Sequence, residues 1–127
     1  MVLIFGGAYQ GKLAYALEHF KLTENDVYNC SDDCTALPCD KKIIYEIDKW
    51  ILALIREDKN VSGAIKEFTE KNNDAIVICN DVSCGIVPTD DILRRWREET
   101  GRAMTALASH SQEVIRLFYG IPAKLKS

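Results

Sequence analysis

The residues near the amino terminus have the types and spacing of an anion-binding loop. Glycines let the backbone curl until several N–H groups point at one anion, and a helix that follows adds the positive end of its dipole. A lysine at the start of that helix can reach the β- and γ-phosphates of a nucleotide. The segment fits the G-x-x-x-x-G-K part of the Walker A pattern, and the predicted nucleotide-binding residues are Gly6, Gly7, Ala8, Tyr9, Gln10, Gly11, Lys12 and Leu13.

The elements on either side of this phosphate loop are those that its chemistry requires. Residues 2–5 form a continuous apolar run, which is typical of a strand buried on both faces, and residues 11–20 have helical spacing. The alternative interpretation is an ordinary strand-to-helix turn with a surface lysine, but the context at both ends favours phosphate binding. We therefore predict that Lys12 is catalytic and stabilises the γ-phosphoryl group during its transfer.

The residue after the lysine departs from the Walker A pattern. Serine or threonine is expected there because its hydroxyl holds magnesium, and Leu13 cannot coordinate a metal. Two interpretations stay open. Either other groups hold the magnesium ion, or the loop binds nucleotide without efficient phosphoryl transfer.

An acid farther along the chain is a candidate to hold that ion. Residues 43–47 have the composition of a strand, and Glu46 lies near its end, where a carboxylate beside the phosphate loop could orient a hydrated magnesium ion. We predict Glu46 as a catalytic residue and a magnesium ligand. Asp48 competes for the same role, and the simpler alternative is a strand-end acid that only meets water.

Polar residues also follow the apolar run at 75–79, which has the clearest pattern of a buried strand. Asn80 and Asp81 come at its carboxyl end, the edge where ligands bind in open α/β sheets. The alternative is that their side chains only tie down the following loop. A long helix is predicted from about 88 to 109, and it carries Arg102, a further candidate for binding phosphate or substrate.

Strands and helices alternate along the whole chain. This order predicts an α/β fold in three layers, with a mostly parallel sheet and an antiparallel edge strand from Glu113 to the tail. With no repeat or linker, we predict one P-loop nucleotide-binding domain over residues 1–127. The remaining predicted elements are strands at 26–30 and 113–119 and helices at about 50–55 and 63–71, with Ser62 and Thr89 as helix caps.

Composition narrows the classes of function. The 127 residues are 47% hydrophobic with a net charge of −3, which indicates a globular domain that is poorly suited to bind nucleic acid. No apolar run approaches the ~20 residues that span a bilayer, so we expect no membrane segment. Five cysteines, an odd number, disfavour a disulfide framework and make the cytoplasm the expected compartment. Cys30, Cys34 and Cys39 could bind zinc instead of remaining free thiols, which keeps a metal or redox protein as an alternative.

The most distinctive string in the second half is Asn80-Asp81-Val82-Ser83-Cys84-Gly85-Ile86-Val87-Pro88. It resembles the N-E-V-G-x-G-I-V-P string of the adenosylcobinamide kinase/adenosylcobinamide-phosphate guanylyltransferase family of cobalamin biosynthesis. That family has a phosphate loop of the form G-G-A-R-S-G-K-S and a helix with a G-R pair, to which Arg102 corresponds. The resemblance covers residues 1–20 and about 75–127, and Asp81 takes the place of the family's glutamate.

The resemblance implies a RecA-like P-loop fold, GTP or ATP with Mg²⁺, a corrinoid as a further partner, and a homo-oligomer. It implies phosphoryl transfer to a cobinamide. Guanylyltransfer by the family's route needs a histidine that carries the guanylyl group, and neither His19 nor His110 matches it in this shortened chain. The alternative is a catalytically inactive relative that binds nucleotide or corrinoid, and Leu13 favours it.

Overall fold

The computed structural model describes residues 1–7, 11–37, 40–82 and 90–126. Its strands form one sheet in the order β2-β3-β4-β1-β5-β6, and neighbouring strands are parallel except for β5 and β6. The predicted α/β class with a mostly parallel sheet is therefore confirmed. The strands are β1 (Val2–Gly6), β2 (Val27–Asn29), β3 (Ile43–Tyr45), β4 (Ile76–Asn80), β5 (Glu113–Phe118) and β6 (Ile121–Lys126).

The helices cover both faces of this sheet, as the three-layer prediction requires. On one face α1 packs Ala16 against Ile4 and Ile78, and on the other face α2, α3 and α4 pack against Leu3 and Val77. Within the described ranges no helix is both long and apolar enough to cross a membrane. The helices are α1 (Lys12–His19), α2 (Ile47–Arg56), α3 (Val61–Lys71) and α4 (Asp91–His110), with a short 3₁₀ turn at Glu24–Asp26.

The antiparallel part of the sheet is smaller than the predicted segment from Glu113 to the tail. β5 begins at Glu113 and is parallel to β1, so only the tail strand β6 runs antiparallel. The two strands are joined by Tyr119 and Gly120, whose φ angles are 50° and 76°. Two consecutive residues with positive φ are typical of the tight type I′ turn, whose twist matches that of paired strands. Tyrosine is a rare first residue of such a turn, which is why the sequence indicated only a short tail.

The third strand also ends earlier than predicted. β3 stops at Tyr45, Glu46 has a left-handed φ of 58°, and α2 begins at Ile47. Ile47 is fully buried in the helix, as it would have been in a strand. A short apolar run has the same composition in either element, so periodicity alone could not place this boundary.

The helix caps differ from the predicted ones for a local reason. Asn60, not Ser62, caps α3, because its side-chain oxygen accepts the N–H of Gly63 at 3.1 Å. Asp90 caps α4 and accepts N–H groups at 2.8 and 3.2 Å. The predicted cap Thr89 lies outside the described residues.

Candidate functional site

A cleft of about 650 Å³ opens at the carboxyl edge of the sheet, where β1, β3 and β4 end. The start of α1, the junction of β3 with α2, the end of β4 and one side chain of α4 form its walls. Parallel strands bring their carboxyl ends to one edge, so residues far apart in sequence meet here. Residues of the cleft include Lys12, Leu13, Glu46, Asp48, Asn80 and Asp81.

Lys12 is the first residue of α1 and lies at the bottom of this cleft. Gly11 precedes it with a left-handed φ of 80°, a conformation that glycine adopts without strain. The Lys12 side chain is only 3% exposed, and its Nζ donates a hydrogen bond of 2.6 Å to the Gly7 carbonyl. Burial lowers the pKa of Lys12, and the nearby Asp48 carboxylate partly opposes that effect. Of the predicted loop residues, Ala8, Tyr9 and Gln10 lie outside the described ranges.

Gly6 is required by packing at the start of the phosphate loop. A Cβ on this residue would lie 2.4 Å from the Leu117 carbonyl oxygen of β5, far inside van der Waals contact. The Gly6 carbonyl accepts the backbone N–H of Asp81 at 2.8 Å. β1 is therefore in close contact with both of its neighbours at the point where the loop begins.

Two acids of the cleft have different environments. Glu46 pairs with the Lys49 ammonium at 2.5 Å and keeps 19% of its side chain exposed. Asp48 is 2% exposed, and its two oxygens accept the backbone N–H of Asn80 at 3.1 Å and the Asn80 side-chain amide at 3.4 Å. Burial raises the pKa of Asp48, while the hydrogen bonds from Asn80 act in the opposite direction. Asp48 is thus the buried acid of the cleft, and Glu46 lies nearer its rim.

Trp96 of α4 also lines the cleft, and sequence reasoning missed it. Its indole Nε1–H donates a hydrogen bond of 2.6 Å to the backbone carbonyl of Asp48. Trp96 is half-buried against the core, and a tryptophan N–H shielded from water usually has a hydrogen-bond partner, so its place in the helical pattern was the available signal. The contact ties α4 to the first turn of α2 and fixes the backbone that carries Asp48.

Arg102 is a predicted site residue that the structure does not bring to the cleft. It lines a separate groove of about 290 Å³ between α3 and α4. Its guanidinium pairs with Glu99 at 3.1 Å, and 70% of the side chain is exposed. By contrast, Asn80 and Asp81 both line the cleft, at the end of β4 where the sequence predicted them.

The two histidines and the three cysteines that the structure describes lie away from the cleft or in the core. His19 stacks on Tyr15 with ring centroids 5.1 Å apart, and His110 lines the groove between α3 and α4. Cys79 is fully buried, and burial raises the pKa of Cys30 to about 12. Among the described residues no three His, Cys, Asp or Glu side chains cluster as a metal site; Cys39 and Cys84 lie outside these residues.

The oxygen donors of the cleft fit a magnesium ion that arrives with its nucleotide. Mg²⁺ keeps several waters and usually takes one or two carboxylates together with substrate phosphates, so it needs no cage made only of protein. Glu46 and Asp48 provide two such carboxylates, and Asn80 provides an amide oxygen. Leu13 also lines this space, where a hydroxyl would have added a ligand.

The sequence of the chain matches the model of one known family. A family model described as cobinamide kinase / cobinamide phosphate guanyltransferase matches residues 33–125, which is well over half of the chain. The match includes Glu46, Asp48 and Asn80 and begins after the phosphate loop. A comparison with curated proteins finds no match. The family match supports a function of the kinase or guanylyltransferase type in cobalamin biosynthesis, and the chain belongs to the cobinamide kinase / cobinamide phosphate guanyltransferase family.

Proposed function

We propose that the chain binds GTP or ATP at the start of α1 and transfers the γ-phosphoryl group to a hydroxyl of a cobinamide. The observation that carries this proposal is that a buried ammonium, Lys12, and a buried carboxylate, Asp48, both line one cleft at the carboxyl edge of the sheet. Family membership supplies the acceptor class. Phosphoryl transfer depends mainly on positioning and on charge stabilisation, and these residues are suited to both tasks.

Lys12, Glu46 and Asp48 each have a definite task in this proposal. The Lys12 ammonium leaves the Gly7 carbonyl and binds the β- and γ-phosphates. Glu46 and Asp48 would hold Mg²⁺, which neutralises the phosphate charge when bound. The acceptor oxygen bonds to the γ-phosphorus, the bond to the bridging oxygen breaks, and the nucleoside diphosphate leaves. The acceptor proton passes to solvent water, because both carboxylates would be engaged with the metal.

Guanylyltransfer by a histidine intermediate is not part of the proposal. The chain has two histidines, at the carboxyl ends of α1 and α4, and neither lines the cleft. The second candidate function is a binding protein that holds nucleotide or corrinoid without turnover. The aliphatic side chain of Leu13, which lines the cleft in place of a metal-binding hydroxyl, favours that candidate.

We also propose that the chain acts in the cytoplasm as a homo-oligomer. The odd cysteine count and the buried, unreactive character of Cys30 and Cys79 support a reducing compartment. The oligomer rests on family membership alone, and sedimentation of the purified protein would test it. A monomer at all concentrations would contradict it.

Calorimetric titration with GTP, with and without magnesium, tests nucleotide binding. We expect micromolar binding that magnesium strengthens, and Lys12→Ala should weaken it by about 2 kcal/mol, or roughly 30-fold, because a charged hydrogen bond is lost. Lys66→Ala, an exposed lysine on α3, is the matched control and should bind as the parent does. Equal affinity of parent and Lys12→Ala would refute the role of the loop.

Turnover separates the two candidate functions. Labelled γ-phosphate from GTP should appear on adenosylcobinamide with the parent protein and not with Asp48→Ala. Tight GTP binding with no transfer to the corrinoid would favour the binding protein over the kinase.

A further inference from the structure

The turn between β5 and β6 carries two large side chains on the surface. Phe118 is 56% exposed and Tyr119 is 74% exposed, although aromatic rings of this size usually bury most of their area. Their rings contact each other edge to face, with centroids 4.4 Å apart. Tyr119 also has a positive φ of 50°, which is uncommon for a bulky residue, and strained backbone of this kind clusters at ligand-binding and active sites.

This aromatic pair lies near the start of α1. β5 is parallel to β1 with Phe5 opposite Arg116, so residues 118–120 extend past the edge of the sheet on the side where β1 ends at Gly6. The approach is close, because a Cβ on Gly11 would lie 4.0 Å from the Cα of Gly120. The backbone of the turn is therefore next to the residue that precedes α1.

The order of the strands determines which end of a nucleotide would meet this turn. The acids that would hold the metal follow β3, which is separated from β1 by β4. β5 lies on the opposite side of β1. A triphosphate with its metal-bound end toward Glu46 and Asp48 and its middle at Lys12 must extend its nucleoside away from the acids, toward β5.

We propose that Phe118 and Tyr119 form the surface on which the base of the nucleotide stacks while the phosphate loop holds its phosphates. This proposal rests on the nucleotide binding proposed above. The ligand class is a nucleoside triphosphate with either purine, because a stacking surface accepts any base and carries no hydrogen-bond code of its own. The sequence likewise contains no motif that reads one base.

Titration with three ligands tests the proposal separately from the phosphate loop. GTP and ATP carry a base, whereas inorganic tripolyphosphate presents the phosphates alone. Tyr119→Asn removes one ring and keeps a residue that tolerates positive φ, and Phe118→Ala removes the other. Leu125→Ala is the matched control, because this apolar side chain is 61% exposed on β6 and lies far from the turn.

We expect each aromatic variant to weaken GTP and ATP alike, by about 5- to 150-fold, and to leave tripolyphosphate affinity unchanged. Leu125→Ala should match the parent with all three ligands. If the parent binds tripolyphosphate and the variants lose nothing with GTP, the stacking surface is refuted and the phosphate loop stands. Equal losses with all three ligands would also refute it, since the rings would then act through the loop's structure. If the parent binds none of the three, nucleotide binding fails and the stacking surface fails with it.

Discussion

A single side chain at position 13 decides how the cleft can hold a metal. Leu13 lines the cleft and also packs partly against the core on the α1 face, so it replaces a polar ligand with an apolar contact. The carboxylates of Glu46 and Asp48 remain available to the ion. The position therefore affects metal binding and stability in opposite directions.

A serine at position 13 should strengthen metal binding and lower the stability of the fold. We expect Leu13→Ser to strengthen magnesium-dependent GTP binding by about tenfold, the scale of one hydrogen bond or ligand, and to cost about 1 kcal/mol of stability because apolar area is lost. Leu17→Ser, one turn later and packed on the same core, is the control and should lose stability without the gain. No gain in binding by Leu13→Ser would mean that the carboxylates already satisfy the ion.

A second residue of interest is a threonine whose hydroxyl is buried beside the cleft. Thr100 of α4 is fully buried, and its hydroxyl has no hydrogen-bond partner among the described residues. It lines an apolar groove of about 420 Å³ that adjoins the cleft at Asp81 and Val82. A buried polar group without a partner costs free energy, whereas an apolar group of the same shape does not.

Exchanging that hydroxyl for a methyl should therefore stabilise the protein. We expect Thr100→Val to raise the free energy of unfolding by about 1 kcal/mol, measured by urea denaturation. Thr69→Val is the matched control, because the Thr69 hydroxyl donates to the Lys66 carbonyl at 2.8 Å. The control should lose about 1 kcal/mol. Destabilisation by both substitutions would show that the Thr100 hydroxyl is satisfied.

At the scale of elements, the cap of α3 is a direct comparison between sequence and structure. The sequence favoured Ser62, and the structure places the cap at Asn60. We expect Asn60→Ala to cost about 1 kcal/mol, because the Gly63 N–H loses its acceptor. Ser62→Ala should change the free energy of unfolding by less than about 0.5 kcal/mol, as exposed sites usually do. The reverse order of the two costs, measured by urea denaturation, would contradict the observed cap.

The apolar patterns of the individual elements explain which of them the sequence could predict. Buried strands such as Ile76–Asn80 have a continuous apolar pattern, so the spacing of apolar residues predicts the parallel sheet and its helices. The same spacing does not predict where β3 ends, because Ile47 is buried and apolar whether it belongs to the strand or to the helix. The strand β6 was missed because Tyr119 has none of the usual turn chemistry.

The residues of the candidate site also fall into those that the sequence predicts and those that it does not. Lys12 and Asn80 are predictable because they follow buried strands directly, and strand ends meet at one edge. The burial of Asp48 and its bond to Trp96 depend on how α2 and α4 pack, and no local pattern carries that information. Arg102 shows the converse, since a motif position on a helix does not say which groove the side chain enters.

At the scale of the whole molecule, the burial of two charged groups in the cleft opposes folding. Burial shifts the pKa of Lys12 down and that of Asp48 up, so each group is driven toward its neutral form. The stability of the free protein is thus reduced by charges that a bound polyanion and its metal would compensate. Sites of this kind commonly lose function and gain stability when their charge is removed.

Lys12→Met, which keeps the length of the side chain, should make that relation measurable. The folded protein holds a lysine pKa below 10.5, so the unfolded chain binds more protons between the two values, and the parent gains stability as pH rises through that window. Below the window the penalty is fully present. We therefore expect Lys12→Met to be more stable than the parent by about 1 kcal/mol at pH 7, with a smaller difference near pH 10, and to bind GTP roughly 30-fold more weakly. Lys66→Met on the exposed surface of α3 should show neither effect. A Lys12→Met protein that is less stable than the parent at pH 7 would mean that the Asp48 carboxylate more than compensates the buried ammonium before any nucleotide binds.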